Sequence, residues 1–283
     1  RSPKFLKRLV PDEYQLKVAK DGFHTWTKKA QVKSQLSTKF TNIYLPPLDI
    51  KPEAVKGVTA GFDLTEFLKS EEERKKQEDF IKNKEKNVGS FAISNNDVFY
   101  LNKNTLLLYR QSLNQDSLEQ ISFKPLSQDN YQLIIQDGHI VALGSNNKLY
   151  LLKDNDFELL DQNVQQVVFS FDSQKILYAK TNNEIWVYYL ADSFYPNHVK
   201  DTKELITRLS QNIEDITWLS SNLHVIFSTS DCIKVAELDG RHHRNIFNLL
   251  EEPVDQIGYD IEKERLLFVE DNILYEAVIK IEK

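Results

Sequence analysis

Five times along this chain an Asn or Asp is followed two residues later by Leu or Ile at the opening of a hydrophobic stretch. The five are Asn104-Thr-Leu106, Asn147-Lys-Leu149, Asn183-Glu-Ile185, Asp231-Cys-Ile233 and Asn272-Ile-Leu274, spaced by 43, 36, 48 and 41 residues. Self-similarity at such a period is the mark of a repeat architecture, in which each unit buries its faces only against its neighbours. Six or seven residues before each Asn/Asp another strand pattern begins: Val98–Leu101, Ile140–Leu143, Ile176–Ala179, Val225–Ser228 and Leu266–Val269. Before those lies a third set: Gly89–Ile93, Gln132–Gln136, Gln166–Ser170, Asp215–Leu219 and Gln256–Asp260. Four repeats have room for a fourth strand, near Leu118–Phe123, Phe157–Leu160, Leu205–Leu209 and His243–Leu249.

Four short antiparallel strands per ~40 residues is the sequence form of a β-propeller blade. The expected fold is therefore mainly β: a propeller of about five four-stranded blades over residues 88–283. The regular repeat argues against a β-sandwich. The fifth repeat has three clear strands and a short tail, Ile279–Lys283. Propellers commonly complete the last blade with a strand from the other end of the chain, and Gly57–Phe62 is the candidate. Glycine is scarce, 8 of 283 residues, so Asn and Asp are expected to supply many turns.

Upstream, residues 1–48 read as a small β module. Tyr14, Leu16 and Val18 alternate with Gln15 and Lys17, the period of a half-buried strand. Asp21-Gly22 is a turn signal. Further alternating stretches run through Thr25–Val32 and through Phe40, Ile43 and Leu45, before Pro46-Pro47. Residues 49–87 read as a connector in which 64–87 form one charged helix. Glu71/Lys75, Glu72/Lys76 and Glu78/Lys82 are i,i+4 pairs in the favourable order. Its apolar residues, Leu64, Phe67, Leu68, Phe80 and Ile81, sit mainly at the ends, which predicts contact there and water in the middle.

Charge is divided between these parts. Residues 1–40 carry ten Lys/Arg against three Asp/Glu, a net of +7, while the remainder carries −13 within an overall −6. The acidic total argues against a general nucleic-acid binder. The asymmetry reads either as two modules with different solvated surfaces or as a basic face that meets an anionic membrane or wall polymer. Apolar residues make up 41% and charged residues 28%, enough for a sizeable core, and no apolar run approaches the ~18 residues of a membrane span. The chain is expected to be soluble as given. The single Cys232 provides neither an internal disulfide nor a zinc cluster. Methionine is absent even at position 1, which predicts a processed chain or a fragment.

The first module resembles the C-terminal part of a PEGA domain, a small bacterial β module. The residues that carry this are Ser2-Pro3, Leu6, Leu9, Pro11-Asp12-Glu13-Tyr14 and Lys20-Asp21-Gly22-Phe23-His24-Thr25-Trp26, with Asp12 in place of the usual glycine. The family's opening strands are missing, which predicts N-terminal truncation. The repeats resemble TolB-like and WD-repeat-like blades, best in Phe169-Ser-Phe-Asp-Ser-Gln-Lys-Ile-Leu-Tyr178 continuing to Asn183-Glu-Ile-Trp-Val-Tyr188. Leu238-Asp-Gly-Arg-His-His-Arg244 fits the turn into a blade's last strand. The combination implies a bacterial envelope protein, extracytoplasmic and carried by an N-terminal membrane anchor outside this chain, with a binding or scaffolding role.

Chemistry is sparse. There is no Gly-x-Ser-x-Gly elbow, no His-Glu-x-x-His and no phosphate loop. His242 and His243 would point to opposite faces of a strand. Asp154-Asn-Asp156 lacks the glycine and distal glutamate of a calcium loop. Trp26, Trp186 and Trp218 fall at strand-core positions. The insertion Ala191–Glu204, carrying Phe194 and Tyr195, reads either as a tolerated rim loop or as a binding loop, since loops on a rigid scaffold can carry function. The expectation is a non-enzymatic chain without cofactors or metal, binding a protein or peptide partner. The candidate binding surface is Phe194 and Tyr195, with Lys4, Lys7, Arg8, Lys28 and Lys29 facing the envelope. The alternatives are a carbohydrate- or small-molecule-binding propeller with weak lyase or hydrolase activity, and a cytosolic WD-repeat-type scaffold.

Overall fold

The computed structural model describes residues 4–56, 63–83, 86–115 and 117–279. A hairpin of β1 (Asp12–Val18) and β2 (Trp26–Val32) comes first. Gly22 supplies the positive φ, +80°, of its connection. The stretch through Phe40, Ile43 and Leu45 forms no strand. It runs irregularly over blade four and buries Tyr44, and its backbone is tied to the hairpin loop by His24 N donating to Pro46 O at 2.8 Å. Then follow β3 (Glu53–Ala54), α1 (Leu64–Leu68) and α2 (Glu71–Asn83).

Two helices stand where one was expected. Ser70 and Glu73 cap each other reciprocally: Ser70 N donates to Glu73 Oε2 at 2.8 Å, and Glu73 N to Ser70 Oγ at 3.2 Å. This is a capping box, a helix start written into Ser-Glu-Glu-Glu. Asp63 caps α1 by accepting from Thr65 N. Of the expected helical pairs, Glu72 holds Lys76 at 2.7 Å.

Five four-stranded antiparallel sheets follow. Blade one is β4 (Val88–Ser94), β5 (Asp97–Asn102), β6 (Leu108–Ser112) and β7 (Leu118–Gln120). Blade two is β8 (Tyr131–Gln136), β9 (His139–Gly144), β10 (Lys148–Lys153) and β11 (Asp156–Gln162). Blade three is β12 (Val164–Phe169), β13 (Lys175–Lys180) and β14 (Glu184–Tyr189), then an inserted hairpin, β15 (Ser193–Phe194) and β16 (Asn197–His198), and finally β17 (Lys203–Arg208). Blade four is β18 (Ile213–Trp218), β19 (His224–Thr229), β20 (Ile233–Glu237) and β21 (Ile246–Leu250). Blade five is β22 (Gln256–Asp260), β23 (Arg265–Glu270) and β24 (Ile273–Val278), completed by β3, whose Ala54 pairs with Tyr275. An upstream strand thus completes the last blade, at Glu53–Ala54. The candidate at 57–62 lies outside the described residues.

Tight turns use Asn and Asp as composition requires. Both residues of Asp154-Asn155 and of Asp271-Asn272 have positive φ, as do Asp137-Gly138. These are two-residue connections whose backbone matches the twist of the flanking strands. Asp154-Asn-Asp156 is such a turn, and Asp156 accepts from Lys124 N at 2.8 Å.

The core is a ring of layers, one between each pair of neighbours. Middle strands present apolar residues on both faces because both faces are covered. Ile176 and Tyr178 pack with Val141 and Leu149 of blade two. Leu177 and Ala179, pointing the other way, pack with Trp218 and Phe227 of blade four. Blades one and two share Leu101, Leu108, Leu133 and Ile140. Blades four and five share Ile226, Val235, Leu266 and Phe268. The opposite face of blade five, Leu267, Val269 and Leu274, packs on Leu64 of α1. Blade one's outer layer, Val88, Val98 and Tyr100, packs on Phe80 of α2. The helix pair therefore occupies a sixth sector between the last and first blades.

Polar side chains of the first strands repeat this order. Ser90 Oγ accepts from Leu133 N, Gln136 donates to Ser170 O, and Gln166 donates to Glu214 O. Asp215 accepts from Ile257 N at 2.8 Å, and Gln256 accepts from Leu64 N at 3.0 Å. The last bond runs to the start of α1, which takes the place the next blade would hold.

Candidate binding groove between blades three and four

The inserted hairpin of blade three stands at the rim, with a cis Tyr195–Pro196 bond at its turn. Phe194 is 81% exposed and Tyr195 43%. Beside them lies a groove of about 410 Å³, walled by the hairpin on one side and the Asp239–Arg241 turn of blade four on the other. The two residues singled out from the sequence come together here.

The floor is a polar set centred on Arg244, whose two terminal nitrogens are bonded while its buried Nε has no partner among the described residues. Arg244 donates to Glu204 Oε1 at 2.6 Å and to the carbonyls of Leu205, Ile206 and Leu238, tying blade four's turn to blade three's outer strand. His198 Nε2 lies 3.0 Å from the other oxygen of Glu204, and its ring stacks on Tyr189 at 4.1 Å. Gly240 allows this closeness, since a Cβ there would sit 3.1 Å from Glu204 Oε1. Arg241 forks onto Asp239 through Nε and Nη2. Burial raises the Asp239 pKa, but the Arg241 hydrogen bonds outweigh it and hold the carboxyl below its ordinary range. Arg241 lies 4.2 Å over the Phe40 ring, and Lys39 lies 5.5 Å over Tyr195. The carboxylates of the groove are thus committed to cations, while its aromatic rim is open. Such an arrangement suits contact with a partner better than proton transfer.

The basic residues divide. Lys4, Lys7 and Arg8 are exposed on the arm before β1. Lys29 is exposed and pairs with Glu13 across the hairpin at 2.8 Å. Lys28 corrects the sequence reading, for it is fully buried. Its ammonium holds Glu237 Oε1 at 2.7 Å and donates to Asp239 O at 2.6 Å and to His243 O. Trp26 Nε1 donates to Glu237 Oε2 at 2.9 Å, and Asn245 Nδ2 donates to both Glu237 and Thr27 O. The N-terminal hairpin is therefore docked on blade four through a satisfied buried network. The signal was present: Lys28 is in phase with Trp26 and Ala30, the inward face of β2.

No family model matches the chain, and no curated protein matches it. Among solved structures it is similar to Raptor from Chaetomium thermophilum, with 14% identity and a TM-score of 0.50 over 68% of this chain and 20% of that one. It is also similar to the β-propeller domain of Cps50 (Swd1) from Myceliophteria thermophila, at 10% identity and TM-score 0.47, covering 66% of this chain and 67% of that one. The C-terminal WD40 domain of Sif2 gives 7% identity and TM-score 0.45, covering 65% of this chain and 55% of that one. At such identities the likeness is one of fold. The five four-stranded antiparallel sheets, each packed face to face on the next in chain order, define a β-propeller.

Proposed function

We propose that this chain is a non-enzymatic scaffold whose propeller binds a protein or peptide partner in the groove between blades three and four. The observation that carries this is Phe194, a large apolar side chain left 81% exposed at the tip of a hairpin that the blade itself does not need. Exposed aromatic residues beside a concave, polar-rimmed surface are the usual anchors of a protein contact. The setting we propose is the bacterial cell envelope, with the first module a PEGA-like element and the blades TolB-like. The residues Lys20-Asp-Gly-Phe-His-Thr-Trp26 and Phe169–Tyr178 support it. Because the module is docked through Trp26 and Lys28, it would hold the propeller in a set orientation to that envelope.

The test is selection of displayed peptides on the whole chain, followed by a Phe194→Ser/Tyr195→Ser variant. These side chains are exposed, so the variant should keep its melting temperature while losing at least ~10-fold in affinity for the selected peptides. Equal binding by the variant would remove the groove from the proposal.

A further inference from the structure

The arm that precedes β1 has a feature the charge count does not reveal. Phe5 is 78% exposed, Leu6 58% and Val10 66%, with Leu9 also exposed. Lys4, Lys7 and Arg8 are interleaved with them, and none of residues 4–11 is acidic. Among the described residues none of these three cations has an ion-pair partner. Single exposed apolar residues are ordinary, but a run of four among cations is not.

We infer that Lys4–Val10 is a lipid-contacting arm, which seats Phe5 and Leu6 in the interface of an anionic bilayer while Lys4, Lys7 and Arg8 meet its headgroups. The composition of the arm selects this partner. A soluble or wall polyanion would be matched by the cations alone and would leave Phe5 and Leu6 in water. A bilayer surface supplies anionic charge and, a few ångströms beneath it, a non-polar layer. Aromatic and aliphatic side chains lodge in that layer while neighbouring Lys and Arg keep their charged ends in the headgroups. The arm is positioned to transmit this contact. Tyr14 on β1 donates its hydroxyl to Val10 O at 3.1 Å, and β1 pairs with β2 along its full length. β2 in turn is locked to blade four by Trp26 and Lys28. A lipid-seated arm would therefore fix one side of the propeller toward the membrane.

The inference deepens the proposal that the first module faces the envelope, and it rests on that reading. The experiment is co-sedimentation of the whole chain with phosphatidylglycerol–phosphatidylcholine vesicles, with pure phosphatidylcholine vesicles and a soluble wall polyanion as comparisons. Binding to the anionic vesicles alone is expected. Phe5→Ser/Leu6→Ser should weaken it at least ~10-fold. Each of Lys4→Gln, Lys7→Gln and Arg8→Gln should weaken it about fivefold at low salt. All these side chains lie outside the packed layers, so melting temperatures should not move. Binding that depends on the cations but ignores Phe5→Ser/Leu6→Ser, or that prefers the soluble polyanion, would overturn the lipid assignment and leave the envelope-facing module intact. No binding to either would overturn both.

Discussion

His224 and Asp215 show how burial in one blade shifts two titratable side chains in opposite directions. Burial holds the His224 imidazole down at about 4, against a favourable but weaker field from Glu237. Its Nδ1 lies 2.9 Å from Ser221 Oγ. Burial pushes Asp215 up to about 6, despite backbone hydrogen bonds from Ile257 and Ile216. Their effects on stability oppose. The unfolded chain protonates His224 first, so that contribution is complete above the ordinary 6.5 and is lost as pH falls through about 4. The folded chain protonates Asp215 first, so its contribution is complete below the ordinary 3.8 and is lost as pH rises through about 6. Between those limits each offsets part of the other. Asp215→Asn keeps a carbonyl oxygen for the blade-to-blade hydrogen bond but removes the titration. Its urea midpoint should therefore fall more steeply than that of the native chain between pH 6 and pH 4. Parallel midpoints across that range would show that Asp215 does not titrate there.

At the scale of elements, the helix pair and blade five are fitted by a missing side chain. Gly258 lies on β22, and a Cβ there would come within 2.7 Å of Leu68 Cδ1 and 3.2 Å of Leu64 Cδ2. Its φ is not in the left-handed region, so the glycine serves close approach rather than a turn. Gly258→Val should push α1 from the blade, at a cost of ~1–3 kcal/mol for overpacking. The loss would appear as a lower denaturant midpoint, with faster amide exchange in Leu64–Leu68 than in the blade-two strands. An unchanged midpoint would mean that α1 yields freely and that the sixth sector is loosely held. The elements also show the limits of local pattern. The blade strands were legible because each has two apolar faces or one, repeated at a fixed interval. The break at Ser70 was legible too, as a capping box, but lay between the apolar residues Leu64, Phe67 and Leu68 and the i,i+4 pairs that begin at Glu71, which together read as one helix. The irregular path through Phe40 and Tyr44 was not legible. Alternation there arises from side chains reaching blade four and Arg241, not from a ladder.

For the whole molecule, the N-terminal hairpin and the propeller form one packed body, joined by the Lys28–Glu237 pair and its neighbours. Removing one partner of a buried pair leaves the other charge without compensation, so Lys28→Ala should cost ~3–5 kcal/mol. The effect should appear first as lost exchange protection over Trp26–Val32, and Glu237→Gln added to it should recover part of the stability. Protection that survives Lys28→Ala would show that apolar contacts alone hold the hairpin. By itself the sequence determined the propeller architecture, the number of repeats, the residues of nearly every blade strand and the use of Asn and Asp in the turns. These depend on periodicity and local backbone preference, which the sequence carries directly. It also pointed to Phe194 and Tyr195, because an insertion breaks a repeat visibly. Only the tertiary structure decided that helices fill the sixth sector, that Glu53–Ala54 completes the last blade, and that Lys28 faces inward while Phe5 and Leu6 face water. The seating of α1 on blade five, of Ala54 beside Tyr275 and of Lys28 on blade four each joins residues more than two hundred positions apart, as in Trp26 and Glu237. A long-range meeting of that kind leaves no local trace beyond its phase in a strand.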